Sequence, residues 1–477
     1  MSEQRQPNIE KSTIAVEIGV HTRREQNGLG SSPASDQEQT PQPKNKIKLE
    51  EILSRENMFR ALGRIEKNKG APGIDGMETS DLREFLHKEW VNTKKHLLDG
   101  RYNPKPARRV EIPKPDGGIR MLGIPTVTDR LIQQAIAQKL NPIFDKFFSD
   151  QSYGFRPNRS AHMAIEQAKQ FVDEGKRYVV DIDLEKFFDR VNHDILMSRI
   201  ARKIEDKAIL KLIRSYLEAG VMVDGMTRAS TEGTPQGSPL SPLLSNIMLD
   251  DLDREIEQRG ISFVRYADDC NLYVRTKRAG LRVFGSIKRF IEEKLKLRVN
   301  EKKSAVAIVT KRKFLGYRFL AFKEAKISLA PESVKRFKKK VREITRGHRR
   351  ENMENRIKKL TWLMRGWMNY FHLIETPSTI RDLDSWIRHR LRMCLLKQWW
   401  RPRTRVRMLM RHGMYRCQAK IYAQKGQHWF LSDTKFMNAT FSTKFWREKG
   451  LVTLIDTYNK ARQELQTAVY GSVRTVV

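Results

Sequence analysis

The sequence predicts an α+β fold with a helical C-terminal part. From about residue 46 to 325, strand-like and helix-like runs alternate, with Gly and Pro between them. After about residue 330, helix-forming residues with an apolar stripe dominate. Residues 1–45 are rich in Gln, Ser, Pro, Glu and Gly and poor in aromatics, which predicts a disordered tail. We therefore expect a tail (1–45), an α+β part (46–325), a helical part (326–405) and a small C-terminal region (406–477).

The charge of the chain indicates a polyanionic partner. With 92 Lys and Arg against 56 Asp and Glu, the net charge is +36 over 477 residues. Basic side chains release counterions when they neutralise phosphates, so nucleic acid is the expected partner. The alternatives are a generally solvated basic surface and an anionic membrane. No apolar run approaches the roughly 18 residues of a spanning helix, and the N-terminus lacks a signal peptide's apolar core, so we expect no membrane association.

The three cysteines exclude two classes of small-domain scaffold. Cys270, Cys394 and Cys417 form no CxxC pair, so we expect neither a disulfide framework nor a cysteine-based zinc site. This usage is typical of a reducing, intracellular setting, and we expect a cytoplasmic protein.

The helical part concentrates the positive charge. Residues 331–420 contain 25 Lys and Arg and 7 Asp and Glu, a net charge of +18, and Pro331 suits the first turn of a helix. Tryptophans and a tyrosine are interleaved with this charge, which suits contacts to a nucleic-acid backbone together with base stacking. For Trp362 and Trp367, burial in a helix core is the favoured interpretation.

The stretch "FVRYADDCNLYV" (263–274) predicts a tight hairpin whose turn carries Asp268 and Asp269. Asp is common in turns for local reasons, so the pair needs a partner before it indicates chemistry. The stretch "RYVVDIDLEKFFDRVNHDIL" (177–196) supplies one. It predicts a buried strand that ends in Asp181 and Asp183 and then turns into a helix.

Carboxylates at a strand end and in a hairpin suit hard divalent cations. Mg²⁺ prefers oxygen ligands, and two such ions can activate an attacking hydroxyl and stabilise a leaving pyrophosphate. In a basic protein, this set indicates nucleotidyl transfer on nucleic acid. Between the two acidic stretches lies "TEGTPQGSPLSPLLSNIMLDDLD" (231–253), a Gly- and Pro-rich turn followed by an apolar helix. Such a turn allows backbone to approach a substrate closely.

These motifs, taken in order, resemble those of reverse transcriptases. More narrowly, the chain resembles the reverse transcriptase/maturase proteins that bacterial group II introns encode. The resemblance covers about residues 50–460. It rests on Asp183 with Phe188, Pro235-Gln236-Gly237 and Tyr266-Ala267-Asp268-Asp269, with support from "GAPGIDG", "SYGFRPNRSAHMAI", "LRVNEKKS", "FLGYRF" and "LMRGWMNYF".

The resemblance implies a right-hand polymerase. Fingers and a palm with an antiparallel sheet would span 46–325, followed by an α-helical thumb/maturase domain (326–405) and a DNA-binding region (406–477). Asp183, Asp268 and Asp269 would ligate two Mg²⁺ ions, while Asp181 would be structural.

Further residues take roles from the same resemblance. Phe188, five residues after Asp183, would crowd a ribose 2′-hydroxyl, and Lys114 and Arg120 would grip the triphosphate. Pro235, Gln236 and Gly237 would border the nucleotide. Solvated hairpin charge and turn packing are the alternatives for these two groups.

Template or RNA contacts are implied for Arg156, Arg159 and Arg365. The alternative for the "YGFRPNRS" stretch is that Phe155 is buried and Arg156 is paired to an acid, with Ser160 starting a helix. Gly366, within a helix, suggests close packing at that position.

The implied partners are group II intron RNA, a template RNA–primer duplex, target DNA and dNTPs. The implied function is RNA-directed DNA synthesis that also assists intron splicing and supports retrohoming, near the bacterial nucleoid. No CxxC is present near the C-terminus, so we expect no endonuclease domain. Two alternatives remain: an RNA-binding splicing factor with an idle polymerase site, and a related reverse transcriptase recruited to host defence or repair.

Overall fold

The structure, a computed structural model, describes residues 44–113, 117–223, 226–228, 232–234, 236–320, 324–346, 351–424 and 428–473. Its helices, in chain order, are α1 (Leu49–Ile52), α2 (Arg55–Asn68), α3 (Leu82–Leu98), α4 (Val127–Asp145), α5 (Ala161–Asp173), α6 (His193–Ala201), α7 (Lys207–Glu218), α8 (Ser241–Gln258), α9 (Lys277–Glu293), α10 (Pro331–Ile344), α11 (Met353–Phe371), α12 (Pro377–Gln398), α13 (Pro402–Arg411), α14 (Arg416–Gln424), α15 (His428–Leu431), α16 (Lys435–Thr440), α17 (Thr443–Glu448) and α18 (Leu454–Val473). Short 3₁₀ turns lie at Phe187–Asp189 and Val309–Lys311.

The strands form three sheets. They are β1 (Ala107–Pro113), β2 (Ile119–Ile124), β3 (Tyr178–Ile182), β4 (Val221–Val223), β5 (Met226–Arg228), β6 (Ser262–Tyr266), β7 (Asp269–Val274), β8 (Ala305–Ile308), β9 (Tyr317–Leu320) and β10 (Lys326–Leu329). The sheet orders are β2-β1-β4-β5, β10-β9 and β6-β7-β3-β8. Strands thus alternate with helices up to β10, and only helices follow within the described residues. The predicted mixture of α and β is confirmed.

The sheet β6-β7-β3-β8 is antiparallel throughout and separates two hydrophobic cores. Successive side chains of a strand point to opposite faces, so Val180 and Ile182 of β3 enter one core with α4 and α8. Val179 enters the other core, which also contains Tyr273 of β7 and residues of α5, α11 and α12. The sheet is therefore covered on both faces, and its strand ends remain as places for polar groups.

Local signals in the sequence place several elements correctly. The side chain of Ser160 accepts a hydrogen bond from the Met163 N–H and so caps α5, and Pro331 is in the first turn of α10. β1 and β2 form an antiparallel hairpin, with Pro113 opposite Ile119.

An aromatic contact joins α10 and α11 in the helical part. Trp367 stacks on Phe337 with ring centroids 4.4 Å apart, which confirms the core role predicted for this tryptophan. Across the described residues, we find no helix with the length and apolarity that a bilayer crossing requires.

Candidate active site

The two predicted acidic stretches lie on neighbouring strands. β3 pairs with β7 in an antiparallel register that sets Asp181 opposite Asn271 and Ile182 opposite Cys270. Continuing this register by one residue sets Asp183 opposite Asp269. Directly opposed residues share one face of a sheet, and Asp181, Asp183, Asp269 and Asn271 all line one cavity of about 780 Å³. The sheet thus brings together acids that are 86 positions apart in the chain.

Asp268 lies in the tight turn between β6 and β7, as predicted, whereas Asp269, also expected in the turn, is the first residue of β7. Tyr266 and Asp269 are the last paired residues, so Ala267 and Asp268 alone form the connection. Ala267 has a φ of +58°, a left-handed conformation that costs a residue with a side chain about 1–2 kcal/mol. Such local strain persists only where the surrounding structure enforces it.

The backbone of Asp183 is held by the "LRVNEKKS" stretch. Its N–H donates to the Ser304 hydroxyl at 3.0 Å, and its carbonyl accepts from the Asn300 N–H at 2.8 Å. Ser304 comes directly before β8, the edge strand beside β3. This stretch therefore fixes the point where Asp183 leaves the sheet.

The carboxylates interact electrostatically. Partial desolvation inside the cavity, together with the charges of Asp268, Asp181 and Asp183, raises the pKa of Asp269 to about 7, and Lys313 opposes the rise. The Asp269 side chain is exposed at the surface of the cavity. Both desolvation by the cavity walls and repulsion by the neighbouring acids contribute to its raised pKa. The site is one in which ionised carboxylates repel each other and a cation is favoured.

Asp181 already has a partner. Arg312 donates to its Oδ2 through Nε at 2.8 Å and also through Nη2. Burial raises the pKa of Asp181, and the adjacent guanidinium lowers it. The carboxylate of Asp181 is therefore engaged by the protein, in line with the structural role expected for it.

The remaining acids fit a magnesium site in chemistry. In the part of the chain that the structure describes, no three Asp, Glu, His or Cys side chains are already gathered into a metal-binding cluster. The donor set around Asp183, Asp268 and Asp269 nevertheless consists of carboxylate oxygens, the ligands that Mg²⁺ prefers. A divalent cation would also offset the repulsion that raises the pKa of Asp269.

Seven cationic side chains, none of them predicted as a site residue, line the same cavity as the acids. They are Lys302, Lys303, Lys311, Arg312, Lys313, Arg318 and Arg336. The signal available in the sequence was the run Lys311-Arg312-Lys313 just before "FLGYRF". The cavity therefore combines acids that suit a metal with a basic wall that suits phosphates.

Phe188 and Gln236 meet in a second cavity, of about 490 Å³. Phe188 packs edge-on against the buried Phe187, with ring centroids 5.1 Å apart. The Gln236 carbonyl accepts a hydrogen bond from the Gly123 N–H of β2 at 2.8 Å. This bond ties the Gln236 turn to the β1–β2 hairpin, so two of the predicted nucleotide-binding segments are joined.

The other predicted nucleotide contacts are less constrained. Arg120 is exposed on β2, opposite Ile112. Gly237 has a φ of +114°, and a Cβ there would lie 3.1 Å from the Gly123 carbonyl oxygen. The backbone conformation and the nearby carbonyl therefore favour glycine at this position. Lys114 and Pro235 lie outside the described residues.

Arg156 and Arg159 are engaged within the protein. Arg156 is buried and donates to the Asp145 carboxylate at 2.6 Å and to the Ser152 carbonyl at 2.9 Å. Arg159 pairs with Asp150 at 2.5 Å. Of the alternative interpretation of this stretch, the pairing of Arg156 to an acid is confirmed, but the burial of Phe155 is wrong. The Phe155 side chain is 50% exposed, and its φ is +59°.

Arg365 is exposed on α11, and its neighbours correct two expectations. Trp362 is 78% exposed and is not core, because it lies on the helix face opposite the buried Leu360 and Met364. Gly366 is not closely packed among the described residues, because a Cβ there would meet none of their atoms within 4 Å. One face of α11 thus presents an exposed tryptophan, an arginine and a glycine.

Comparison with known proteins shows two matching families. Residues 112–319 match the model of the reverse transcriptase (RNA-dependent DNA polymerase), and residues 334–415 match the group II intron maturase-specific domain. Protein YkfC of Escherichia coli K12 is 36% identical over 294 residues, which cover 53% of this chain and 77% of YkfC. The chain belongs to the group II intron-encoded reverse transcriptases. The resemblance seen in the motifs is confirmed, and with it the assignment of this reverse transcriptase as an RNA-directed DNA polymerase with a maturase domain.

Alignments with other relatives cover a smaller share of the relative's own length. The group II intron-encoded protein LtrA of Lactococcus lactis subsp. cremoris is 37% identical over 215 residues, which cover 45% of this reverse transcriptase and 36% of LtrA. A chain of a solved structure, a partial Cas6-RT-Cas1–Cas2 complex, aligns with a TM-score of 0.34 and 24% identity. That alignment covers 51% of this reverse transcriptase and 42% of the other chain.

Proposed function

We propose that this reverse transcriptase extends a primer at a site formed by Asp183, Asp268 and Asp269. The observation that carries the proposal is the β3–β7 register, which supports convergence of Asp183 and Asp269 at one end of the sheet. Asp268 precedes Asp269 in the turn between β6 and β7. The primer 3′-hydroxyl attacks the α-phosphate of a dNTP, the new phosphodiester forms, and pyrophosphate leaves. The hydroxyl proton passes to solvent or to a nearby base.

The carboxylates would hold two Mg²⁺ ions, which lower the pKa of the attacking hydroxyl and offset charge on the leaving pyrophosphate. Asp181 is kept out of this ligand set by its ion pair with Arg312. Lys313, which lowers the pKa of Asp269, keeps that carboxylate closer to its ionised, ligand-competent form.

The cavity of Phe188 and Gln236 would receive the sugar and base of the incoming nucleotide. The Phe188 ring would exclude a ribose 2′-hydroxyl. Arg120, together with Lys114, would hold the triphosphate, since the β1–β2 hairpin that carries Arg120 is anchored to Gln236 through Gly123. Pro235 and Gly237 would shape the turn that borders the nucleotide.

The basic wall would hold the backbone of the primer–template duplex. Its cations face the same cavity as Asp183 and Asp269, which supports delivery of a phosphate chain to the acids. Arg156 and Arg159 enter this proposal by fixing the loop around the exposed Phe155, because their guanidinium groups are bound to Asp145 and Asp150.

The exposed face of α11 would bind intron RNA in the maturase role. Trp362 offers a ring for stacking and Arg365 a cation for phosphate. Gly366 lowers helix stability by up to about 1 kcal/mol relative to Ala, although a Cβ there would meet no atom of the described residues within 4 Å. The missing side chain at Gly366 would allow the backbone or a sugar of RNA to approach this face closely.

The architecture in this proposal is a right hand. Residues 46–325 form fingers and palm around the antiparallel sheet, 326–405 the thumb/maturase domain, and 406–477 a region that binds target DNA. Basic helices α10 to α13 support the nucleic-acid roles. Retrohoming by target-primed cDNA synthesis, in a bacterial cytoplasm at the nucleoid, completes the proposal.

Primer extension on an RNA template with dNTPs and Mg²⁺ tests the polymerase proposal. Wild type should make cDNA and Asp268→Ala should make none while retaining RNA binding. Asp382→Ala removes the same charge from an exposed position of α12 and should behave as wild type. If wild type binds RNA but makes no cDNA, the polymerase proposal fails and the idle-site splicing factor replaces it.

A further inference from the structure

Arg265, two residues before the acidic turn, forms a fully buried ion pair. Its side chain and that of Asp253 in α8 are both 0% exposed. Nε and Nη2 of Arg265 donate to the two carboxylate oxygens at 2.7 and 2.5 Å. Burying two charges is expensive, and apolar residues of similar size often pack such a place as stably. Stability alone therefore does not explain why this ion pair is buried here.

The other donors of Arg265 reach the turn itself. Nη1 donates to the Ala267 carbonyl at 2.9 Å and to Asn246 Oδ1 at 3.0 Å, and Nη2 donates to the Ser152 hydroxyl at 2.8 Å. The five N–H donors of the guanidinium thus meet five acceptors. The Ala267 carbonyl belongs to the peptide that joins Ala267 to Asp268. Holding that oxygen fixes the plane of this peptide and the direction in which Asp268 leaves the turn.

The opposite side of the turn is held by the "SYGF" stretch. A Cβ on Gly154 would lie 2.2 Å from the Ala267 nitrogen and 2.9 Å from the Tyr266 carbonyl carbon. The Gly154 carbonyl accepts from Asn246 Nδ2 at 2.9 Å, and the Tyr153 N–H donates to the Arg265 carbonyl at 2.9 Å. Asn246 thus bonds both to Arg265 and to the chain that presses on the turn. The left-handed Ala267 is enclosed between these two supports.

We propose that Arg265 is a positioning residue for nucleotidyl transfer. With Asp253 as its anchor and Gly154 as the opposing surface, it holds the 267–268 peptide so that Asp268 meets the reacting groups. Arg265 touches no substrate and acts through Asp268. This inference rests on the proposed function, because it requires Asp268 to be catalytic.

Two variants test it from opposite sides. Gly154→Ala adds a methyl group against the turn and leaves the ion pair intact. The double variant Arg265→Met/Asp253→Leu removes both charges together, so no unpaired charge is left buried, and the chain is expected to fold. Gly63→Ala is the matched control, because a Cβ at this exposed helical glycine meets no atom within 4 Å.

The measurements are single-turnover dNTP incorporation, the apparent KM for dNTP, thermal unfolding and RNA binding. Both variants should unfold cooperatively and bind RNA. Their incorporation rate should fall by between about tenfold and a hundredfold, because a displacement of about 1 Å at a reacting group has that effect. The KM for dNTP should stay within about twofold of wild type, since ground-state binding is not altered.

A folded double variant with the wild-type rate would show that the ion pair is only structural and would overturn the proposal. A folded Gly154→Ala variant with the wild-type rate would show that contact between Gly154 and the turn does not position Asp268. If Gly154→Ala does not fold, the double variant decides. A wild-type protein that makes no cDNA would remove the proposed function instead. An active wild type, an inactive Asp268→Ala and two variants at the wild-type rate would remove the positioning role alone.

Discussion

The Ser304 hydroxyl accepts a hydrogen bond from the backbone N–H of Asp183 at 3.0 Å, across 121 residues of chain. The bond joins the last turn before β8 to the end of β3, where the first acid of the site emerges. The backbone of Asp183 is thus fixed by a segment distant in the sequence. Ser304 belongs to neither of the two stretches that carry the acids.

Ser304→Ala should slow primer extension. A part-buried N–H left without its acceptor costs up to about 1–3 kcal/mol, and the end of β3 should become less ordered. We expect slower extension with dNTP KM little changed, together with faster hydrogen exchange at the Asp183 amide. Ser198→Ala, at an exposed serine of α6, is the control. Unchanged exchange at Asp183 would contradict the role given to Ser304.

Asp269→Asn should stabilise the protein when divalent metal is absent. Desolvation and three neighbouring acids raise the pKa of Asp269 to about 7, so its ionised form is disfavoured in the fold. In mildly alkaline buffer with a chelator, the variant should unfold at a higher temperature than wild type, by on the order of 1–3 °C. Added Mg²⁺ should stabilise wild type more than the variant. A variant that unfolds at a lower temperature in chelator would be evidence against repulsion in this cluster.

Phe188→Ala should admit ribonucleotides. The ring lines the cavity that contains Gln236, and its removal opens space beside the sugar. We expect the ratio of ribonucleotide to deoxynucleotide incorporation to rise by about tenfold or more, a change of at least 1.4 kcal/mol in discrimination. Because the measured quantity is a ratio on one enzyme preparation, partial loss of folded protein does not affect it. An unchanged ratio removes the gate assignment.

Gly366→Ala should stabilise α11 and weaken RNA binding. The new methyl group meets no protein atom, so helix propensity alone predicts a gain of about 0.5–1 kcal/mol in the free energy of unfolding. If RNA approaches this face, the same methyl group should lower affinity in a filter-binding assay. Gly285→Ala in α9, also exposed and also without a neighbour, should give the gain in stability without the loss of affinity. Equal RNA affinity in both variants would show that RNA does not bind closely to this face of α11.

Local patterns in the sequence were enough to predict the elements that carry the acids. The β6–β7 hairpin is connected by two residues, and β3 ends directly before its acid, so each signal lies within a few positions. The family motifs then related the two stretches to each other. The orientation of Trp362 was also within reach, because the apolar Leu360, Met364 and Met368 mark the buried face of α11 at helical spacing.

The supports of the site could not be predicted in the same way. Whether Arg265 is a surface cation or a buried one depends on α8, which places Asp253 and Asn246 beside it. The partners of Arg156, likewise, are set by the end of α4 and the loop after it. Such contacts are tertiary, and no periodicity within one segment contains them.

Counting bound metal ions tests the central claim, that Asp183, Asp268 and Asp269 form one metal site. Mn²⁺ is titrated, with electron paramagnetic resonance detection, into protein bound to a 3′-deoxy primer on an RNA template with the next dNTP. We predict two protein-bound ions per complex in wild type and in Asp382→Asn, and fewer in Asp183→Asn and in Asp268→Asn. An unchanged number of bound ions in both active-site variants would contradict the claim.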